Sequence, residues 1–221
     1  MSSYPKQKRN KVVRGAKRAT YDKEAINKIL DAGFIGFVGY IYEQTAISIP
    51  MAYSRIGDKI YLHGSLKNRM LRAALGADQM SMTVMHLDAL VLARSGLHHS
   101  VNYRSATLFG SLKVVENHNK KVEILESIIN FMVPDRWDSL RPITEKEINS
   151  TLVVEMKIEN ASAKIRDVGV QDEKRDYQTD VWAGLIPVKQ VFDKPVRDPL
   201  LPDHVKTPEH ILNYLNRNYY D

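Results

Sequence analysis

The chain has no cysteine. That excludes disulfides, thiolate nucleophiles, iron–sulfur clusters and cysteine-ligated zinc. It has no apolar run of roughly eighteen residues or more, so no membrane-spanning helix is expected. The N-terminus reads Met1-Ser-Ser-Tyr-Pro5 and then turns basic, without the apolar region of a secretory signal; a cytoplasmic location is the expectation. No G-x-G-x-x-G follows a strand and no G-x-x-x-x-G-K-[ST] exists, which argues against a Rossmann or P-loop nucleotide site. No G-x-S-x-G elbow or H-E-x-x-H pair occurs, so neither an α/β-hydrolase serine nor a zincin site is expected. The carboxylate pair Asp172 and Glu173 lies in an exposed-looking loop and needs no catalytic role.

The net charge of +6 hints at nucleic acid, but its distribution argues otherwise. Seven cations (Lys6, Lys8, Arg9, Lys11, Arg14, Lys17, Arg18) precede the first acid, Asp22. Without them 25 basic residues face 26 acidic ones, so the body is near neutral. Residues 1–18 read as a basic, solvated or disordered arm. No aromatic is interleaved for base stacking, so no nucleic-acid partner is expected.

Beyond residue 18 the 221-residue chain organises as one domain over 19–192 and a C-terminal extension, 193–221, with a short helix. Asp22 to Ala32 has Ile26, Ile29 and Leu30 on one helical face, with Gly33 in the C-cap place. Phe34 to Ile41 and Gln44 to Tyr53 read as strands, and Pro50 within the second implies an edge, a bulge or a ligand-facing position. After the turn Ser54–Asp58, Lys59 to His63 is a short strand and Lys67 to Leu75 a short helix closed by Gly76. Met80 to Leu92 and Asn102 to Val115 are long strands, His118 to Phe131 an amphipathic helix, and Glu145 to Asn149 a helical turn. Thr151 to Ile158 and Ala161 to Val168 are further strands, and Pro208 to Asn216 is the last helix. Six or seven strands joined mostly by short turns, with three or four helices, make an antiparallel barrel with peripheral helices.

Three stretches could carry chemistry. In Ile60-Tyr-Leu-His-Gly-Ser-Leu-Lys-Asn-Arg-Met70 a strand ends at His63, Gly64 and Ser65 turn, and a helix starts near Lys67. Ser65, Lys67 and Arg69 then converge where free backbone N–H groups point outward, which suits a phosphate dianion. Cations in a first helical turn oppose the dipole, and a bound anion would reverse that sign; the alternative is a plain capped helix with a solvated cationic turn. In His98-His-Ser100-Val-Asn102-Tyr103-Arg104-Ser105 polar side chains precede an apolar run and could surround a heterocycle or phosphate. His98 and His99 point to opposite faces of a strand, so no metal site is expected. Val181-Trp182-Ala-Gly-Leu-Ile-Pro187 holds an isolated tryptophan, either core or an aromatic wall for a ring system.

In this order the three stretches resemble the pyridoxamine 5′-phosphate oxidase-like superfamily, in its flavin-nucleotide-binding branch that includes nitroimidazole-resistance reductases. The resemblance covers about Ala19 to Val188. It rests on Ile60-Tyr-Leu-His-Gly-Ser65, then His99-Ser-Val-Asn-Tyr-Arg-Ser105 closing at Gly110, then Lys164-Ile-Arg166 and Trp182-Ala-Gly184. It implies a mainly β (α+β) fold, an antiparallel split β-barrel of the FMN-binding type with peripheral helices. It implies a homodimer with FMN at the subunit interface, FAD or a deazaflavin being the alternatives. Ile49, Pro50, Met51, Ala52 and Tyr53 would lie along the ring. His63, Gly64, Ser65, Lys67, Asn68 and Arg69 would grip the phosphate. Ser100, Asn102, Tyr103, Arg104 and Ser105 would complete the pocket, and Trp182 would reach it from the partner chain. Arg104 is the candidate to stabilise the reduced ring. The oxidases carry an Arg-x-His segment after this tryptophan that holds their substrate; Leu185 to Phe192 has neither residue, which argues against vitamin B6 oxidation.

Three functions follow. The first is a flavin oxidoreductase using a reduced nicotinamide donor and a small organic substrate. The second is a non-catalytic module binding flavin or haem. The third is a basic-tailed interaction protein with the barrel as scaffold.

Overall fold

The computed structural model describes residues 2–77 and 79–215. A short hydrogen-bonded turn at Ala16–Arg18 leads into β1 (Ala19–Thr20) and α1 (Lys23–Asp31). Asp22 caps α1 by accepting from Ala25 N–H. Then come β2 (Ile35–Tyr42), β3 (Thr45–Ala52), β4 (Ser54–Ile56) and β5 (Lys59–Ser65). The seven-residue helix α2 (Arg69–Leu75) precedes β6 (Met80–Leu92), β7 (Ser100–Gly110) and β8 (Leu112–Val114). The chain closes with α3 (His118–Met132), α4 (Glu145–Ser150), β9 (Thr151–Lys157), β10 (Asn160–Arg166), β11 (Gly184–Pro187) and α5 (Glu209–Leu215). The helix expected over Pro208 to Asn216 is described over Glu209–Leu215; Asn216 lies outside the described residues.

The strands form two antiparallel sheets. The larger runs β1-β10-β7-β6-β2-β3, with β11 added on β6; the smaller runs β4-β5-β9-β8. Three segments cross between them with only one or two residues at the corner: Tyr53 joins β3 to β4, Ser111 joins β7 to β8, and Ile158–Glu159 join β9 to β10. The sheets therefore enclose a common core of Val38, Tyr53, Leu62, Met82, Leu108 and Met156 without closing, which is a split barrel. Gly110 sits at one corner, where an added Cβ would lie 2.1 Å from the carbonyl oxygen of Lys157. Only glycine lets the two corners meet there.

Along β2 and β6, alternate residues face this core and the remainder face outward. Register puts Phe37 beside Thr83, and Thr83 beside Thr107, on the outward face of the large sheet, where the two threonine hydroxyls lie 3.2 Å apart. Helix α3 covers the far side of the small sheet through Ile124, Leu125 and Ile128 against Tyr61 and Val153.

Residues 2–18 are exposed along most of their length but are anchored to the barrel at two points. Ser3 bridges to Asp22, and Tyr4 N–H donates to Tyr21 O. The Tyr4 ring is buried in the main core. Asn10 is buried as well: its Nδ2 donates to Pro5 O and Ala161 O, and its Oδ1 accepts from Gln7 N–H. Arg9 pairs with Glu159 at 3.5 Å. The basic residues mask two apolar or amide anchors spaced among them, and charge content alone gives no view of these. Gly33 also differs from expectation. It follows the cap residue Ala32 without positive φ, and it is small because a Cβ would meet the His86 ring at 2.9 Å.

Replacing Tyr4 by Ala should cost about 3 kcal/mol of unfolding free energy, whereas Lys8→Ala should change it by less than about 0.5 kcal/mol. Urea unfolding of the two variants checks this; equal, negligible effects would restore the disordered arm.

Candidate functional site

Pro50 tests the barrel's opening. β3 ends the large sheet, so one of its edges has no strand partner, and a proline without an N–H is tolerated there. That edge borders a cleft of about 490 Å³ lined by Ile49, Pro50, Met51 and Ala52 on one side and by Asn68, Arg69 and Met70 on the other. Tyr40 forms part of its floor. One of the three stretches singled out in the sequence, Ile60–Met70, thus meets the Pro50 strand in one place. An edge strand offers backbone N–H and C=O groups to whatever fills the cleft. The Tyr40 hydroxyl is buried there without a hydrogen-bond partner, so a ligand with a polar ring edge has a group to satisfy.

At the cationic end Ser65 and Lys67 are exposed, and Ser65 Oγ accepts from Lys67 N–H. The Arg69 guanidinium lies 4.7 Å from the centre of the Tyr42 ring, a cation–π contact that holds it at the cleft. The helix begins at Arg69, two residues later than expected. Lys67 therefore precedes it, and the helix terminus is already used: Asn68 Oδ1 accepts from Leu71 N–H. The cationic side chains, rather than the dipole of a helix this short, set the charge at this end of the cleft. Gly64 is needed because a Cβ would lie 3.0 Å from Asn68 Nδ2 and 3.1 Å from Leu71 Cδ1.

Other residues of the predicted site lie elsewhere. Tyr53 is core: it is fully buried, its hydroxyl donates to Leu30 O, and burial raises its pKa far above the ordinary tyrosine value. His63 alternates to the opposite face of β5 from Ile60, Leu62 and Gly64, and lines a second cavity beneath α3. Asn102 is a structural amide. Its Nδ2 donates to Val168 O at 3.0 Å, and its Oδ1 accepts from Val168 N–H and from the buried Arg166. Arg104 is bound to Asp88, with Nη2 2.9 Å from Oδ1 and Nε 3.1 Å from Oδ2. The register of β6 shifts between Leu87 and Ala89, which brings Asp88 within reach. Tyr103 and Ser105 share a strand parity with Thr107 and so face outward, while Ser100 starts the strand opposite Val91. Trp182 is 67% exposed, its ring edge against Gly184 just before β11, and is neither core nor at the cleft of its own chain.

Among the described residues one trio, His98, Asp172 and Asp176, brings three ligand-type atoms within 4.8 Å of one another. Asp172 is taken up by Arg94, through backbone N–H and Nη1, so the cluster reads as an ion pair. No helix among the described residues is long and apolar enough to cross a membrane. Sequence reasoning missed Tyr40, Tyr42 and Met70. The period-2 pattern of β2 puts Tyr40 on its inner face, but nothing local shows that this face ends at an opening.

The family model described as pyridoxamine 5′-phosphate oxidase matches residues 22–165. The solved flavocytochrome Anf3 of Azotobacter vinelandii is 34% identical, with a TM-score of 0.89 over 94% of this chain and 97% of that one. The FAD and heme binding protein of Mycobacterium smegmatis is 28% identical, with a TM-score of 0.85 over 90% and 97%. A putative 5-nitroimidazole antibiotic resistance protein of Bacteroides thetaiotaomicron, 19% identical with a TM-score of 0.58 over 66% and 86%, shares the fold. No curated protein matches. The chain belongs to the pyridoxamine 5′-phosphate oxidase family, on its flavin-binding split-barrel fold.

His63 gives a test of the geometry through pH. Burial lowers its pKa from 6.5, so the neutral ring is favoured in the folded state. Below about pH 6.5 the unfolded chain takes up this proton first, and stability falls until the folded value is passed. Wild type should therefore lose more stability than His63→Leu between about pH 7 and pH 5.5, read from urea midpoints. Parallel losses would mean that the ring is solvated.

Proposed function

We propose that this protein is a flavin-dependent oxidoreductase or electron carrier, with FMN or FAD seated in the cleft between the β3 edge and the β5–α2 turn. The observation that carries the reading is the convergence of Ile49–Ala52 with Asn68 and Arg69 around one opening of about 490 Å³. Ser65, Lys67 and Arg69 supply the cationic end for a phosphate. The Ile49–Ala52 edge supplies backbone groups and apolar surface for a flat ring. The bound flavin would supply the redox chemistry, and these residues would bind and orient it. The flavocytochrome and the FAD and heme binding protein support FAD as well as FMN, and they add haem as a second redox group within the reading. A reduced nicotinamide donor and a small organic substrate complete the proposal.

The assembly we propose is a homodimer. The outward face of the large sheet carries Phe37 at 50%, Ile41 at 62% and Met85 at 54% exposure, an apolar surface that a second copy would cover. Tyr103 and Ser105 lie on this same face, so a partner could receive them at its own cleft. In this reading Arg104, locked to Asp88, fixes the local shape rather than meeting the ring directly.

Losing one charge-assisted phosphate contact costs about 1.5–3 kcal/mol, roughly ten- to a hundredfold in affinity. Lys67→Ala and Arg69→Ala should each weaken flavin binding by that factor, measured by quenching of flavin fluorescence; unchanged affinity in both would place the flavin elsewhere. Phe37→Asp should turn a sedimenting dimer into monomer and weaken flavin binding with it. A monomeric parent that binds flavin fully would overturn the shared site.

A further inference from the structure

We infer that the cavity beneath α3 is an iron-porphyrin site in which His63 is the axial ligand. The inference rests on the haem part of the function proposed above and adds its place and its ligating residue. The cavity measures about 460 Å³, within the range of cofactor sites. Leu125, Ile128 and Ile129 of α3 form one wall, and Trp137 with Ile143 forms another. β5 presents the imidazole of His63 from below. It is separate from the flavin cleft, because the two linings share no residue.

The chemistry of the lining selects the ligand. A flavin or nucleotide needs several convergent donors, and this cavity lacks them. Its one cation, Arg141, is engaged by the carboxylate of Glu147 and by Pro142 O. Thr151 gives its hydroxyl to Glu147 O. What remains is an apolar slot with one available imidazole. His63 Nδ1 is buried without a hydrogen-bond partner, an omission that folded proteins seldom leave uncorrected. A flat apolar body with a metal at its centre satisfies both features: the ring fills the slot, and the imidazole completes the metal's coordination. The neutral Arg141–Glu147 rim leaves the ligand's own carboxylates to solvent. A fatty acyl chain would fill the slot but leave the imidazole unsatisfied.

The test uses the full chain loaded with flavin and titrated with haemin. Wild type should give a saturable shift of the Soret band at one equivalent per chain. His63→Ala should keep its flavin absorption, lose the nitrogen-ligated spectrum, and regain it on addition of free imidazole. Leu140→Trp, at the exposed rim, should narrow the mouth without disturbing the core and raise the haemin Kd at least tenfold. If both variants match the parent spectrum and affinity, haem binds elsewhere and this inference falls while the functional reading stands. If the parent takes up no haem, the haem part of that reading fails too, with the flavin spectrum still deciding the remainder. A fatty acid that competes with haemin in wild type, with no spectral dependence on His63, would replace the porphyrin by a lipid.

Discussion

At Gly110 one bent strand crosses another so closely that a single methyl group would meet the Lys157 carbonyl oxygen at 2.1 Å. The rest of the structure depends on that contact. It fixes the corner at which β7 becomes β8 against the corner at which β9 becomes β10, and so sets how the two sheets share a core. The large sheet ends at β3, whose free edge borders the cleft. Backbone geometry therefore decides where the cleft lies before any cationic side chain is placed in it.

The site follows from that opening. An edge strand inside a protein is a row of unpaired polar groups beside an apolar wall, and such an edge needs covering. Here the cover is incomplete: Asn68, Arg69 and Met70 approach but leave a cleft, and the Tyr40 hydroxyl below it has no partner. Electrostatics then select among ligands that could fill the space. Lys67 and Arg69 add positive charge at one end, while the body of the chain outside the N-terminal segment is close to neutral. A ligand with an anionic terminus and a flat, hydrogen-bonding ring meets all of these conditions.

Much of the fold was legible because it is written locally. Met80–Leu92 alternates well enough to read as one strand and is one strand with those bounds, its inward parity switching at the bulge between Leu87 and Ala89. Asp22 caps its helix as its side-chain chemistry requires, and Gly76 follows the last residue of α2 in a right-handed conformation. Pro50 implies an edge, a bulge or a ligand-facing position, and the sheet order makes its strand an edge. Most of the failures come from contact between residues far apart in sequence. The Arg104–Asp88 pair needs both a hairpin register and a bulge. The amide of Asn102 is consumed by Val168 and Arg166, more than sixty residues away. Tyr4 and Asn10 dock on elements whose positions no N-terminal pattern reveals. His63 was drawn into the phosphate loop by adjacency in sequence, yet strand alternation turns it away from Gly64.

Hydrogen exchange of the backbone amides, read with and without added FMN or FAD, bears most directly on the claim that the β3 edge and the β5–α2 turn form one flavin seat. The account requires slowed exchange in peptides spanning Ile49–Ala52 and Ser65–Met70 together, at the same flavin concentration. Protection that appears only beneath α3, or in neither segment while flavin is bound, would contradict it.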